Sequence, residues 1–183
     1  MKLEHLTGRD ALARTSCLVE IYGEAFGGPP WHEDARAADA FAERLTADAR
    51  RPGFTAVLAS DEAGRAGFGT AWRTLSPFPA GRAYDRVRAE LGDEAEGRLA
   101  GALEVDELAV RPHARGRGLA GGILDLLCAG ACWLLTAPFA LDAIKLYERL
   151  GWHRLTRPGA DIVVFSTIRR PASQNVAAAA RDL

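Results

Sequence analysis

LEVDELAVRPHARGRGLAGGILDLLCAGA, residues Leu103–Ala131, decides the fold. Its first eight residues alternate and end in the β-branched Val110, which predicts a strand. Pro112 closes that strand, because proline has no N–H to give to a sheet ladder. Gly116 and Gly118 then let the backbone come close to a ligand. Beyond them Leu119, Ile123, Leu126 and Leu127 recur at helical spacing, so a helix opens near Arg117. A helix start presents unpaired N–H groups and a partial positive charge. Strand, glycine turn and helix in this order make an anion site. Arg115 and Arg117 are expected to add full charges beside it.

Three readings of the loop compete. Gly116-x-Gly118-x-x-Gly121 matches the dinucleotide fingerprint. There, however, the first glycine follows the strand directly and an acidic residue ends the next strand. Here Arg111–Arg115 intervene, and the next strand, Cys132–Thr136, is followed by Ala137 and Pro138. A glycine turn without a ligand is the plain alternative. The third reading is Val110-Arg111-Pro112-His113-Ala114-Arg115-Gly116-Arg117-Gly118-Leu119-Ala120. This resembles the acyl-CoA loop of the GNAT acetyltransferase superfamily, a strand followed by V-x-P-x-x-R-G-x-G-x-G/A and a helix.

A second stretch bears on the same resemblance. Ala143, Leu146, Tyr147 and Leu150 fall on one helical face, and Gly151 sits where a helix stops. Ala143–Trp152 is similar to the superfamily's A-x-x-L-Y-x-x-x-G-F helix, with Trp152 for the usual Phe. The family often carries Asn seven residues before the tyrosine. Here that residue is Ala140.

Composition narrows the rest. The 183 residues suit one domain; it is placed at 1–169, with 170–183 read as a loose tail. Apolar residues make up 48% and charged residues 26%, an ordinary balance for a globular chain. A net charge of −1 gives no reason to expect nucleic acid or an anionic membrane as partner. Cys17, Cys128 and Cys132 lie in apolar segments without CxxC or Cys/His spacing. Buried free thiols, no metal and a cytoplasmic location are therefore expected. No apolar run reaches transmembrane length. The basic residues are arginines except for Lys2 and Lys145.

Along the chain, strands are expected at Leu3–Leu6, Phe54–Ala59, Ala66–Trp72, Leu103–Val110, Cys132–Thr136, Trp152–Leu155 and Ile162–Ile168. Helices are expected at Ala11–Phe26, Asp34–Arg50, Ala83–Leu91, from about Arg117, and around Tyr147. This order predicts a mixed α/β sheet with one parallel pair, 103–110 with 132–136, joined by a right-handed crossover. The resemblance implies the GNAT form of it: a mixed, mostly antiparallel central sheet whose parallel pair splays apart, flanked by helices.

The resemblance also implies an activity, direct transfer of an acetyl group from acetyl-CoA to a primary amine in a ternary complex. Backbone N–H groups of Leu108, Ala109 and Val110 would bond the pantetheine arm. Those of Arg115, Gly116, Arg117, Gly118, Leu119 and Ala120 would hold the pyrophosphate, and Tyr147 would be the general acid. Glu104 and Glu107 match positions where the superfamily carries an acid on this strand, so the resemblance makes them the candidate bases. Carboxylates are costly inside an apolar strand, and pairing with arginines or reaching solvent is the alternative. Strict alternation puts Glu104 with Asp106 on one face and Glu107 on the other. Trp31, Glu33 and Tyr84 are candidates for the acceptor pocket, since aromatics and carboxylates both attract a cationic amine. A homodimer is compatible with this reading. The competing function is a non-catalytic acyl-CoA sensor.

Overall fold

The computed structural model describes residues 1–81 and 83–168. The proposed tail lies outside the described residues. The chain builds a seven-stranded sheet in the order β1-β2-β3-β4-β5-β7-β6. Its strands are β1 (Lys2–Leu6), β2 (Thr55–Asp61), β3 (Gly64–Arg73), β4 (Leu103–Val110), β5 (Cys132–Thr136), β6 (His153–Arg154) and β7 (Val163–Ser166). All neighbours pair antiparallel except β4 and β5. This is the mixed α/β sheet expected from the sequence, parallel pair included.

Two layers of helix cover the sheet. On one face α2 (Thr15–Phe26) and α3 (Ala35–Asp48) bury Leu18, Ile21, Phe41 and Leu45 against Leu58, Phe68 and Ala109. Asp34 caps α3, its carboxylate accepting from the N–H groups of Arg36 and Ala37. The helix expected over Ala11–Phe26 is in fact two, α1 (Gly8–Ala13) and α2, parted at Arg14. Thr7 and Asp10 form a capping box that starts α1 early.

The other face carries α6 (Leu119–Leu127) and α7 (Leu141–Arg149), packed on Val57, Val105, Leu134 and Phe165. The glycines of β3 explain how closely α6 lies. A Cβ on Gly69 would stand 2.7 Å from Ile123 Cγ2, so only glycine admits the helix at this height.

A third cluster packs under β5 and β7. Here α4 (Tyr84–Leu91) and α5 (Glu94–Leu99) bring Tyr84, Val87 and Leu99, with Phe78 from the segment before α4, onto Trp133 and Val164. The α5 helix was not foreseen. It is six residues long and follows Gly92-Asp93, too short to show a period within a stretch dense in charge.

Candidate active site

The site begins with a failure of pairing. β4 and β5 share only Leu103–Cys132, Glu104–Trp133 and Val105–Leu134. Among the described residues the β4–β5 ladder ends at Val105–Leu134. The same point carries a bulge against β3: Thr70 opposes Glu107, Ala71 opposes Val105, and Asp106 is the extra residue. The strands therefore part here, as in a splayed pair.

The bulge corrects the alternation expected for the carboxylates. Glu104 opposes Trp72, Glu107 opposes Thr70 and Ala109 opposes Phe68. Opposed residues point to the same side of a sheet, and Phe68, Thr70 and Trp72 alternate along β3. Glu104 and Glu107 thus share the face covered by α2 and α3, while Leu108 and Val110 turn to the α6 side.

A cleft of about 640 Å³ opens where the strands part. Its walls include Leu108 and Val110 of β4, Phe26 and Trp31 after α2, the loop residues Arg115, Gly116, Gly118, Leu119 and Ala120, and Ala140 and Tyr147. Ala109 differs from its neighbours: its side chain is buried with α2 and α3. Phe26 meets Trp31 edge-on at 5.6 Å, and Trp31 meets Phe139 at 5.2 Å. These contacts span from the α2 side of the cleft to the α7 side.

The glycine loop has the geometry of an anion cradle. Pro112–Ala114 form a 3₁₀ turn, and Gly116 and Gly118 follow with φ of 74° and 80°. That left-handed conformation strains any residue with a Cβ. A Cβ built on either glycine meets no atom within 4 Å, so the loop's outer surface is open. Gly118 is also the N-cap of α6 and supplies no side chain, leaving the first N–H groups of the helix uncapped. Backbone donors over open space in a cleft fit a pyrophosphate.

Both loop arginines depart from expectation. Arg115 Nη2 donates to the Ala25 carbonyl at 2.6 Å and Nε to the Val110 carbonyl at 3.2 Å. Its guanidinium caps the last turn of α2 and fixes the loop, which uses its charge structurally. Arg117 does not line the cleft; its guanidinium turns to Asp61 at 3.7 Å.

Tyr147 packs its ring on Phe165 at 5.4 Å and Trp152 at 5.9 Å. It is 7% exposed and lines the cleft. Its hydroxyl has no hydrogen-bond partner among the described residues. Burial, then the nearby charge of Glu107, pushes the phenol well above its ordinary pKa. It therefore stays protonated.

The two candidate bases separate by environment. Glu104 is buried and accepts from Tyr84 Oη at 2.5 Å and Trp72 Nε1 at 3.1 Å. Burial and this carboxylate push the Tyr84 phenol up to about 12. None of Glu104, Glu107, Glu33 and Tyr84 lines the cleft; Tyr84 belongs to the packing around Trp133, and Glu104 pairs with Trp133 across β4 and β5. Glu107 accepts from Arg44 Nη2 at 3.1 Å. Burial and the charge of Asp106 nevertheless push its carboxyl up to about 8, against the opposing pull of Arg44. Glu33 stands near it, with Oε2 buried and lacking a hydrogen-bond partner.

Sequence reading missed several lining residues of α7, chiefly Asp142, Lys145 and Arg149. Lys145 had a faint signal, as the one lysine past Lys2 in an arginine-rich chain. The cysteines are free, but only Cys132 is buried; Cys17 and Cys128 are partly exposed. Among the described residues no helix is long and apolar enough to cross a membrane. No group of His, Cys, Asp or Glu among them is placed to hold a metal.

Comparison with solved structures identifies the architecture. The PaiA N-acetyltransferase of Thermoplasma acidophilum, in complex with coenzyme A, superposes with a TM-score of 0.60 at 12% identity, covering 91% of this chain and 98% of that one. A structure from Corynebacterium glutamicum described as histone acetyltransferase HPA2 and related acetyltransferase gives 0.58 at 18%, covering 94% and 99%. The ribosomal-protein-alanine N-acetyltransferase of Brucella melitensis gives 0.55 at 15%, covering 92% and 100%. No family model and no curated protein sequence matches the chain. The class is thus defined by fold: a mixed sheet with one splayed parallel pair, flanked by helices. It is the GNAT acetyltransferase fold.

Proposed function

We propose that the protein is an acetyl-CoA-dependent N-acetyltransferase that transfers the acetyl group directly to a primary amine. One observation carries the reading: a tyrosine hydroxyl without a partner lines the same cleft as an uncapped helix start bearing two left-handed glycines. A tyrosine retained only for packing normally has its buried hydroxyl bonded.

The residues divide the work as follows. Backbone N–H groups of Arg115–Ala120 bind the pyrophosphate of acetyl-CoA. The unpaired edge of β4 at Leu108–Val110 bonds the pantetheine arm and polarises the thioester carbonyl. Glu107 accepts a proton from the incoming amine, directly or through water. Its carboxyl, raised to about 8, is near the working pH, where a general base is most effective. Tyr147 gives its proton to the departing sulfur. Trp31 and Glu33 flank the amine, and the unpartnered Glu33 oxygen offers it an acceptor. Holding thioester and amine together supplies much of the acceleration.

The test is thiol release from acetyl-CoA over a panel of primary amines, with calorimetry of acetyl-CoA alone. Binding with a micromolar-range constant and turnover on at least one amine are expected. Failure to bind acetyl-CoA would overturn the reading. Binding without turnover on any amine, unchanged in Tyr147→Phe, would favour a sensor.

A further inference from the structure

The cleft contains more positive charge than its glycine loop uses. Lys145 and Arg149 stand one turn apart on α7 and both line it. Both are exposed, and neither has an ion pair among the described residues. Leu150 Cδ2 lies 3.6 Å from where a Cβ on Gly121 would stand, so the end of α7 is held against the first turn of α6. The two cations thus flank a helix start that is already positive. Of the loop's own arginines, Arg115 keeps its charge in the cleft wall but commits Nε and Nη2 to two carbonyls, and Arg117 turns to Asp61. Among the described residues Asp142, on the first turn of α7, is the one carboxylate lining the cleft, and it is exposed.

A solvated polar face of α7 would explain two cations, but not their place beside uncapped N–H groups. Like charges gathered around a positive helix end repel one another unless an anion joins them. The helix start and loop can satisfy one phosphate pair through backbone donors. Lys145 and Arg149 remain for a second, separate anion.

Resting on the acetyl-CoA reading above, we propose that Lys145 and Arg149 form a phosphate-monoester subsite that reads the 3′-phosphate on the ribose of coenzyme A. The pyrophosphate binds to main-chain amides and the monoester to these two side chains. The protein thereby distinguishes coenzyme A from nucleotides carrying a pyrophosphate alone.

Calorimetry with coenzyme A and with 3′-dephospho-coenzyme A tests this, on the wild type and on a Lys145→Gln/Arg149→Gln variant. Glutamine suits an exposed helix site and keeps a polar side chain, and thermal melting checks that the fold is kept. The wild type should bind coenzyme A about tenfold or more tightly than the dephospho form. That preference should shrink at high salt. The variant should lose it, with affinity for the dephospho form within about twofold of wild type. Equal affinities in the wild type, a preference that survives in the variant, or equal loss of both ligands would each overturn the subsite. If the wild type binds neither ligand, the acetyl-CoA reading itself fails.

Discussion

Tyr147 combines a ring locked between Phe165 and Trp152 with a hydroxyl that bonds to nothing in the described chain. Phenylalanine preserves the ring packing and deletes the proton. Tyr147→Phe should therefore melt near the wild type and bind acetyl-CoA equally well, while acetyl transfer falls by about 10²-fold or more. Single-turnover measurement with a productive amine checks this; full turnover would return Tyr147 to the core. Glu107 predicts a dependence on pH. Its carboxyl is raised to about 8 in the fold, above its unfolded value, so stability is full at low pH and is lost as pH rises through 8. Glu107→Gln removes that loss. Its melting temperature relative to wild type should rise between pH 5 and pH 9, while its rate of transfer falls and loses the rise with pH centred near 8. The helix that carries Tyr147 was legible in sequence through Ala143, Leu146 and Gly151. The partner of Glu107 was not, because Arg44 is 63 residues away and nothing local marks it.

At the scale of elements, the strand, loop and helix from Leu103 to Leu127 were readable because their signals are local: alternation, Pro112, glycines and helical spacing. Two of its properties were not. The bulge at Asp106 is set by register against β3, and it moves Glu104 to the face of Glu107. The direction of Arg115 depends on the end of α2, 90 residues away. The loop itself yields a prediction. Gly118 has φ 80° and no neighbour to clash with. Gly118→Val strains the backbone rather than the packing. Binding of acetyl-CoA should fall by at least about tenfold, since a cost of 1–3 kcal/mol falls on the conformation that presents the amides. Calorimetry reads this, and unchanged affinity would remove the loop from the binding site.

Across the whole molecule, the sheet is joined at its middle by only three parallel pairs, and side chains must secure what the ladder does not. Trp133 does most of this on the face of α4 and α5. It is fully buried, lies 6.1 Å from Phe78 and 6.3 Å from Tyr84, and donates to Thr74 Oγ1 at 2.7 Å. Trp133→Ala should cost about 3–5 kcal/mol of stability in urea unfolding. A loss below 1 kcal/mol would show that β5 is held by its ladder alone. The sequence placed Tyr84 near the acceptor. A tyrosine at the start of a helix, within a stretch rich in proline, glycine and charge, looks available, and only the fold reveals the Glu104 that takes its hydroxyl.

The cradle at Gly116–Ala120 has one more consequence, for how its importance would be measured. If its donors are main-chain amides, replacing the side chains of Arg117, Leu119 and Ala120 leaves those donors in place. A survey that truncates one side chain at a time would find Arg117 and Ala120 nearly silent, would read Leu119 as a loss of stability because it is buried in the core, and would find harm at the glycines through φ. The same holds over generations: mutation could rewrite the letters between the glycines with little effect on the ligand. Sequence identity across such a loop then says little about whether its main-chain donors are in place.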